Sequence, residues 1–250
     1  MKKIISLILV LTTIFFVCLF ANAGTVAVES GALIGFSDDD FLTTDGQNIV
    51  NRKGEKITLK GVNLGAWMIW EGWLCPYEDD LDHYSVLEIL TERFGEEAAY
   101  GLINTYMDNW ITEYDLDQIK EMGFNSVRVP FWFRNFYYDD NGRKILDENG
   151  KWDFSRLEWI VDECSKRELY VILDMHGAVG YQSDAPHNGK GGSCGLYADT
   201  EQGERYRELT DELWTEIATR FRDNPAVAMY DLLNEPMCDV KTNEIDRRIK

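Results

Sequence analysis

The sequence predicts an α/β chain that forms the first half of a (β/α)8 barrel. Three observations lead there. Apolar runs that read as strands alternate with amphipathic helical patterns, the order of a parallel sheet covered by helices. The first of those strands ends in "GVNLGAW", without the G-x-G-x-x-G turn that an open doubly wound sheet carries at that point. Polar residues stand at every strand end instead: Asn63, Arg128, His176, Asn234 and Glu235. A barrel gathers its strand ends at one face, where its chemistry is done. Residues 61–232 hold only four such strands, whereas a whole barrel runs to about 250 residues or more. Residues 41–250 are therefore expected to be the N-terminal part of a barrel domain.

The chain opens with "MKK", the apolar run "IISLILVLTTIFFVCLF" and "ANA", the three regions of a secretory signal. Residues 1–23 are read as that signal, cleaved after Ala23, the alternative being an uncleaved anchor. Residues 24–40, ending in "SDDD", read as a leader without fixed structure. Asp45-Gly46 and Lys53-Gly54 are turn signals between short alternating runs and predict a hairpin feeding the strand "ITLKGVN". Helical patterns follow in "HYSVLEILTERFG", "EEAAYGLINTYMDNWI" and "TEYDLDQIKEMG", with Gly95 as a break, Thr112 as an N-cap and Gly123 as a stop. "FNSVRVP" is the second strand, and a turn-rich loop leads to the helix "FSRLEWIVDECSKREL". "YVILDMHG" is the third strand. A glycine-rich loop, the helix "TEQGERYRELTDELWTEIATRFRDNP" and the strand "AVAMYDLLNEP" complete the order.

A formal net charge of -19 argues against nucleic acid and anionic membrane surfaces as partners. Removal of the signal takes away Lys2 and Lys3 and leaves no membrane association to expect. The eight tryptophans suit stacking on flat ligands, and Trp67, Trp70, Trp73 and Trp132 are the candidates. Cys75, Cys164, Cys194 and Cys238 could pair outside the cytoplasm, in any of three connectivities. No C-x-x-C or H-E-x-x-H occurs, so neither a metal nor a cofactor is expected. A G-x-S-x-G nucleophile turn is lacking too, and "HNGKGG" has the wrong spacing for a phosphate loop.

The chemistry left is carboxylate chemistry. Glu235 at a strand end can protonate a leaving oxygen if burial or nearby charge raises its pKa. Arg128 follows apolar residues, a place where an arginine pairs with a carboxylate. His176 stands between a buried strand and a glycine, where a barrel exposes active residues. Asp174 shares its strand face and is expected to hold other groups. His83, at a helix start, and His187, in a loop, receive no role.

"GVNLGAW", "GFNSVRVPF", "DMHG" and "YDLLNEP", in that order, resemble glycoside hydrolase family 5, the cellulase-like retaining β-glycosidases. "NLGAWMIWEGWLCP" and "HGAVGYQ" are similar to its exo-β-1,3-glucanase branch. Val179 departs from that branch, which has a proline there, and "SDAPHNGKGGSCG" lacks its aromatic residue. The resemblance implies a secreted O-glycosyl hydrolase acting on β-glucan or its oligosaccharides. Glu235 would be the general acid/base, and Asn234 would bind the sugar 2-hydroxyl. Arg128 would orient the nucleophile, and His176 would line the reacting subsite. Glu71 would bind the terminal sugar; of the stacking candidates above, Trp67 is expected to contact substrate. The family's nucleophile is a glutamate after the seventh strand, which is absent from this sequence; Glu244 is too close to Glu235 to serve. The chain alone is then expected to be inactive, and a non-catalytic carbohydrate-binding barrel is the alternative.

Overall fold

The computed structural model describes residues 35–75 and 81–237. The signal, most of the leader, Cys238 and Glu244 lie outside the described residues. Four parallel strands form one sheet in chain order: β3 (Gly61–Asn63), β4 (Ser126–Trp132), β5 (Tyr170–Gly177) and β6 (Val227–Asp231). Ahead of them β1 (Leu42–Asp45) and β2 (Asn48–Asn51) make an antiparallel hairpin whose turn uses Gly46 at positive φ. Helices α1 (His83–Phe94), α2 (Glu96–Trp110) and α3 (Glu113–Glu121) link β3 to β4. The next two links carry α4 (Ser155–Lys166) and α5 (Glu201–Phe221).

Local chemistry sets the helix boundaries. Asp82 caps α1 by accepting from Ser85 N at 2.7 Å, and Gly95 ends it at φ 84° while opening α2. Asp115 Oδ2 accepts from both Thr112 N and Thr112 Oγ1 at 2.8 Å to start α3, with aspartate in the place a capping box usually gives to glutamate. Thr200 caps α5 through Gly203 N. Apolar faces of these helices meet the sheet in one core, where Trp132, Phe131, Phe133, Phe136 and Tyr137 are nearly or wholly inaccessible.

Two expectations need correction. The strand expected over "ITLKGVN" narrows to Gly61–Asn63. Upstream of it the Asn125 side chain takes Lys60 N at 2.7 Å and gives a bond to Thr58 O, occupying groups a longer ladder would use. The leader is also shorter than expected, because residues 35–40 pack on the domain. Phe36 lies 4.4 Å from the Tyr170 ring, whose hydroxyl donates to Asp40 O, and Ser37 closes a 3-10 turn over Asp38–Asp40. Cys194 is disulfide-bonded, while Cys164 stays a thiol inside α4 whose pKa burial pushes up to about 12. Among the described residues no helix is long and apolar enough to cross a membrane.

Candidate active site

Parallel register brings the polar strand ends level. Asn63 pairs with Arg128, Arg128 with Ile172, and Asp174 with Asp231. One guanidinium then ties all four strands. Arg128 Nη2 lies 2.8 Å from Asp231 Oδ2, 3.0 Å from Asp174 Oδ2 and 2.9 Å from Asn234 Oδ1. Its Nη1 donates to Asn63 Oδ1 at 3.2 Å. Such charge-assisted bonds in a fork geometry suit arginine and not lysine.

Asp174 is fully buried, and that burial raises its pKa against the lowering pull of His176 and Arg128. Its Oδ2 also meets His176 Nδ1 at 2.7 Å, while His176 Nε2 is 3.2 Å from Asn234 Nδ2. The two contacts assign the tautomer: Nδ1–H donates to Asp174, and Nε2 accepts from the amide. Asn234 is thus oriented from both sides, its oxygen by Arg128 and its nitrogen by His176. Gln182, buried, donates from Nε2 to His176 O at 2.7 Å and to Asn234 O at 2.9 Å. That bolts the end of β5 to the segment after β6.

Glu235 follows this anchored amide. Its backbone is left-handed, φ 39°, and its side chain is 57% exposed, so the carboxyl projects from a fixed base into the open face. Glu71 approaches from the loop after β3, with Oε1 3.8 Å from His176 Nε2. Trp73 Nε1 donates to Glu71 Oε2 at 3.0 Å, and its ring is 71% exposed.

Arg128, His176, Asn234 and Glu71 therefore converge near Glu235, and Trp67 does not. Its side chain has no exposed surface; Nε1 donates to Met107 O at 2.8 Å and the ring packs edge-on against Trp159. After Gly65 the chain turns inward, with Ala66 at φ 55°, and sinks residues 66–70 into the core. Trp70 and Trp132 are buried too, sandwiching His83 at 4.4 and 4.5 Å. Enclosed there, His83 has its pKa pushed down to about 3. Of the four tryptophans weighed, Trp73 alone presents its face to solvent.

Sequence reasoning missed Asp231, Gln182 and His187. Asp231 carried a signal, since it follows the apolar run of its strand as Asp174 follows that of β5. Gln182 and His187 sit in an irregular loop where no periodicity marks a residue. His187 Nδ1 nevertheless lies 3.9 Å from Glu235 Oε2, and its ring stands edge-on to His176.

The family profile described as Cellulase (glycosyl hydrolase family 5) matches residues 91–249. A β-xylosidase of Phanerodontia chrysosporium is 29% identical over 205 residues, covering 82% of this chain and 41% of that protein. A glucan 1,3-β-glucosidase of Blumeria graminis is 30% identical over 196 residues, covering 71% of this chain and 41% of that protein. A probable glucan endo-1,6-β-glucosidase B of Aspergillus flavus is 26% identical over 238 residues, covering 87% and 55% respectively. The chain thus spans about half the length of the curated relatives it matches. The crystal structure of a rutinosidase from Aspergillus niger superposes with a TM-score of 0.53 at 16% identity, over 74% of this chain and 51% of that one. The fold is the (β/α)8 barrel, of which the described strands are the first four. With the profile covering well over half its residues, the chain belongs to glycosyl hydrolase family 5.

Proposed function

We propose that the protein containing this chain is a secreted, retaining β-glycoside hydrolase that degrades β-glucan, with Glu235 as its general acid/base. The observation that carries this reading is the double anchoring of Asn234 by Arg128 and His176, which delivers Glu235 to the open face. Family membership and relatives named as glucan β-glucosidases support it.

In the first step Glu235 gives its proton to the glycosidic oxygen as that bond breaks, while a second carboxylate attacks the anomeric carbon. In the second step the Glu235 carboxylate takes a proton from the water that releases the sugar. Retention needs the two carboxyl groups about 5–5.5 Å apart. The second is expected after the seventh barrel strand, beyond the four described. Asn234 offers its amide to the sugar 2-hydroxyl. Glu71, with exposed Trp73 beside it, shapes a pocket for a terminal sugar, which supports exo action on β-1,3-glucan. "MKK", the apolar run and "ANA" support secretion.

The test is to incubate the full-length secreted protein with β-1,3-, β-1,4- and β-1,6-glucans and follow the released anomer by NMR. Hydrolysis with retained configuration is expected. Inversion sinks the two-step mechanism, and binding without hydrolysis makes the protein a carbohydrate-binding barrel.

A further inference from the structure

Among the titratable side chains of the loop between β5 and α5, His187 faces the site and has no part in the proposed chemistry. His187 sits in a 3-10 turn over Pro186–Asn188 and is only 12% exposed. Its Nδ1 faces Glu235 Oε2 at 3.9 Å. Its Nε2 is buried with no hydrogen-bond partner among the described residues. The contact with Glu235 is thus the polar contact the structure gives this ring.

The frame around His187 is built and not slack. Asn188 is fully buried, with its amide nitrogen donating to Ser183 O. Gly189, at φ 96°, lies against the Trp132 indole, where a Cβ would come within 2.7 Å of the ring. Tyr84 N donates to Gly189 O at 2.8 Å, and Gly191 N donates to Asp82 Oδ2 at 2.7 Å. Asp82 is the residue that also caps α1, so the loop is pinned to the start of that helix. Asp184 N donates to Met237 O, which joins the loop to the segment just after Glu235.

We propose that His187 is a positioning residue for the general acid: its Nδ1–H donates to the Glu235 carboxylate as that group gives up its proton. This rests on the role of Glu235 given above. As the glycosidic C–O bond breaks, the Glu235 proton moves to the leaving oxygen and negative charge appears on the carboxylate. His187 keeps its own proton and shares it in a hydrogen bond that is strongest at that moment. The Glu235 side chain is exposed and free to swing through the remaining distance, and catalytic hydrogen bonds are commonly long before substrate binds. Other charges near this pair are His176 on β5, backed by Asp174 and Arg128, and Glu71 beside His176. On its own loop Lys190 is turned away, 3.7 Å over the Tyr84 ring, and Asp184 is exposed.

The experiment uses the full-length protein and aryl glucosides whose leaving groups span activated to unactivated phenols. His187→Phe keeps the ring and removes the donor. It is expected to slow the least activated substrate about tenfold and leave the most activated one nearly unchanged. The basic limb of its kcat/KM profile should move to higher pH, since a carboxylate without its donor holds its proton longer. His187→Asn, with an amide nitrogen near the place of Nδ1, should restore part of the loss. A uniform loss across leaving groups with an unmoved limb overturns the proposal. The NMR signals of the His187 ring are compared separately between wild type and Glu235→Gln at one pH. They should move in the variant, which removes the facing carboxylate, and unmoved signals also overturn the pairing. If the wild type cleaves no glycoside at all, it is the hydrolase reading that fails, and the NMR comparison still decides whether His187 and Glu235 are paired.

Discussion

Arg128 reaches Asn234 at 2.9 Å, so a side chain on the second barrel strand sets the amide that precedes the acid on the fourth. The same Nη2 holds buried Asp174 at 3.0 Å. Arg128→Ala strands that carboxylate in the core without its cation. Breaking a buried pair from one side costs about 3–5 kcal/mol, and partial exposure of the guanidinium places this case at or below the lower end. Denaturant unfolding of the full-length protein should report it. Arg128→Lys should recover much of the stability and little of the activity, because one ammonium cannot serve four strands.

Glu235→Gln keeps the shape and removes the proton donor. Hydrolysis of an unactivated β-glucan should fall about 10²–10⁴-fold, and substrates with good leaving groups should suffer less in the first step. Near-normal glucan hydrolysis by the variant would remove Glu235 from the role.

Glu71→Ala should raise KM for short glucosides while changing unfolding little, since the hydrogen bond Glu71 makes is to the exposed Trp73 indole and its approach to His176 is long, 3.8 Å. Chromatography of early products from the wild type supplies the companion check. Free glucose should dominate; long oligosaccharides without glucose would exclude a terminal-sugar pocket.

His83 links the fold to pH. Burial between two indoles depresses its pKa to about 3, below the ordinary histidine range. A depressed folded-state pKa gives stability that is present above about pH 6.5 and lost as pH falls toward about 3, at up to about 1.4 kcal/mol per pH unit. His83→Phe keeps a stacked ring and cannot titrate. Its melting temperature should decline less steeply than that of the wild type through this window, and parallel curves would rule out the linkage.

The outer edge of β6 bears Met229 and is followed by exposed Leu232, and no strand pairs with that edge among the described residues. Residues 24–250 expressed alone should therefore associate and show no glycosidase activity. Size-exclusion chromatography with a glucan assay checks both. A monomeric, active product would place a second catalytic carboxylate within this sequence.

The sequence made strand ends legible because two rules coincide there: a buried parallel strand reads as unbroken apolar residues, and a polar side chain at its end has somewhere to go. Arg128, His176, Asn234 and Glu235 were visible for that reason. Trp67 misled because "GAWMIW" is equally apolar whether it faces sugar or core, and only the inward turn at Ala66 decides. His187 and Gln182 stayed hidden because a loop has no period, and their meaning lies in the partners that folding brings to them.

Glu235 is the strand-end residue with a left-handed backbone, φ 39°, in a chain position where glycine or asparagine would rest more easily. A non-glycine residue held there costs of order 1 kcal/mol or more. Glu235→Gly should thus melt no lower than the wild type while losing its acid. Left to mutational drift alone, this position would empty of carboxylate, so its persistence among descendants would itself record continued purifying selection for turnover.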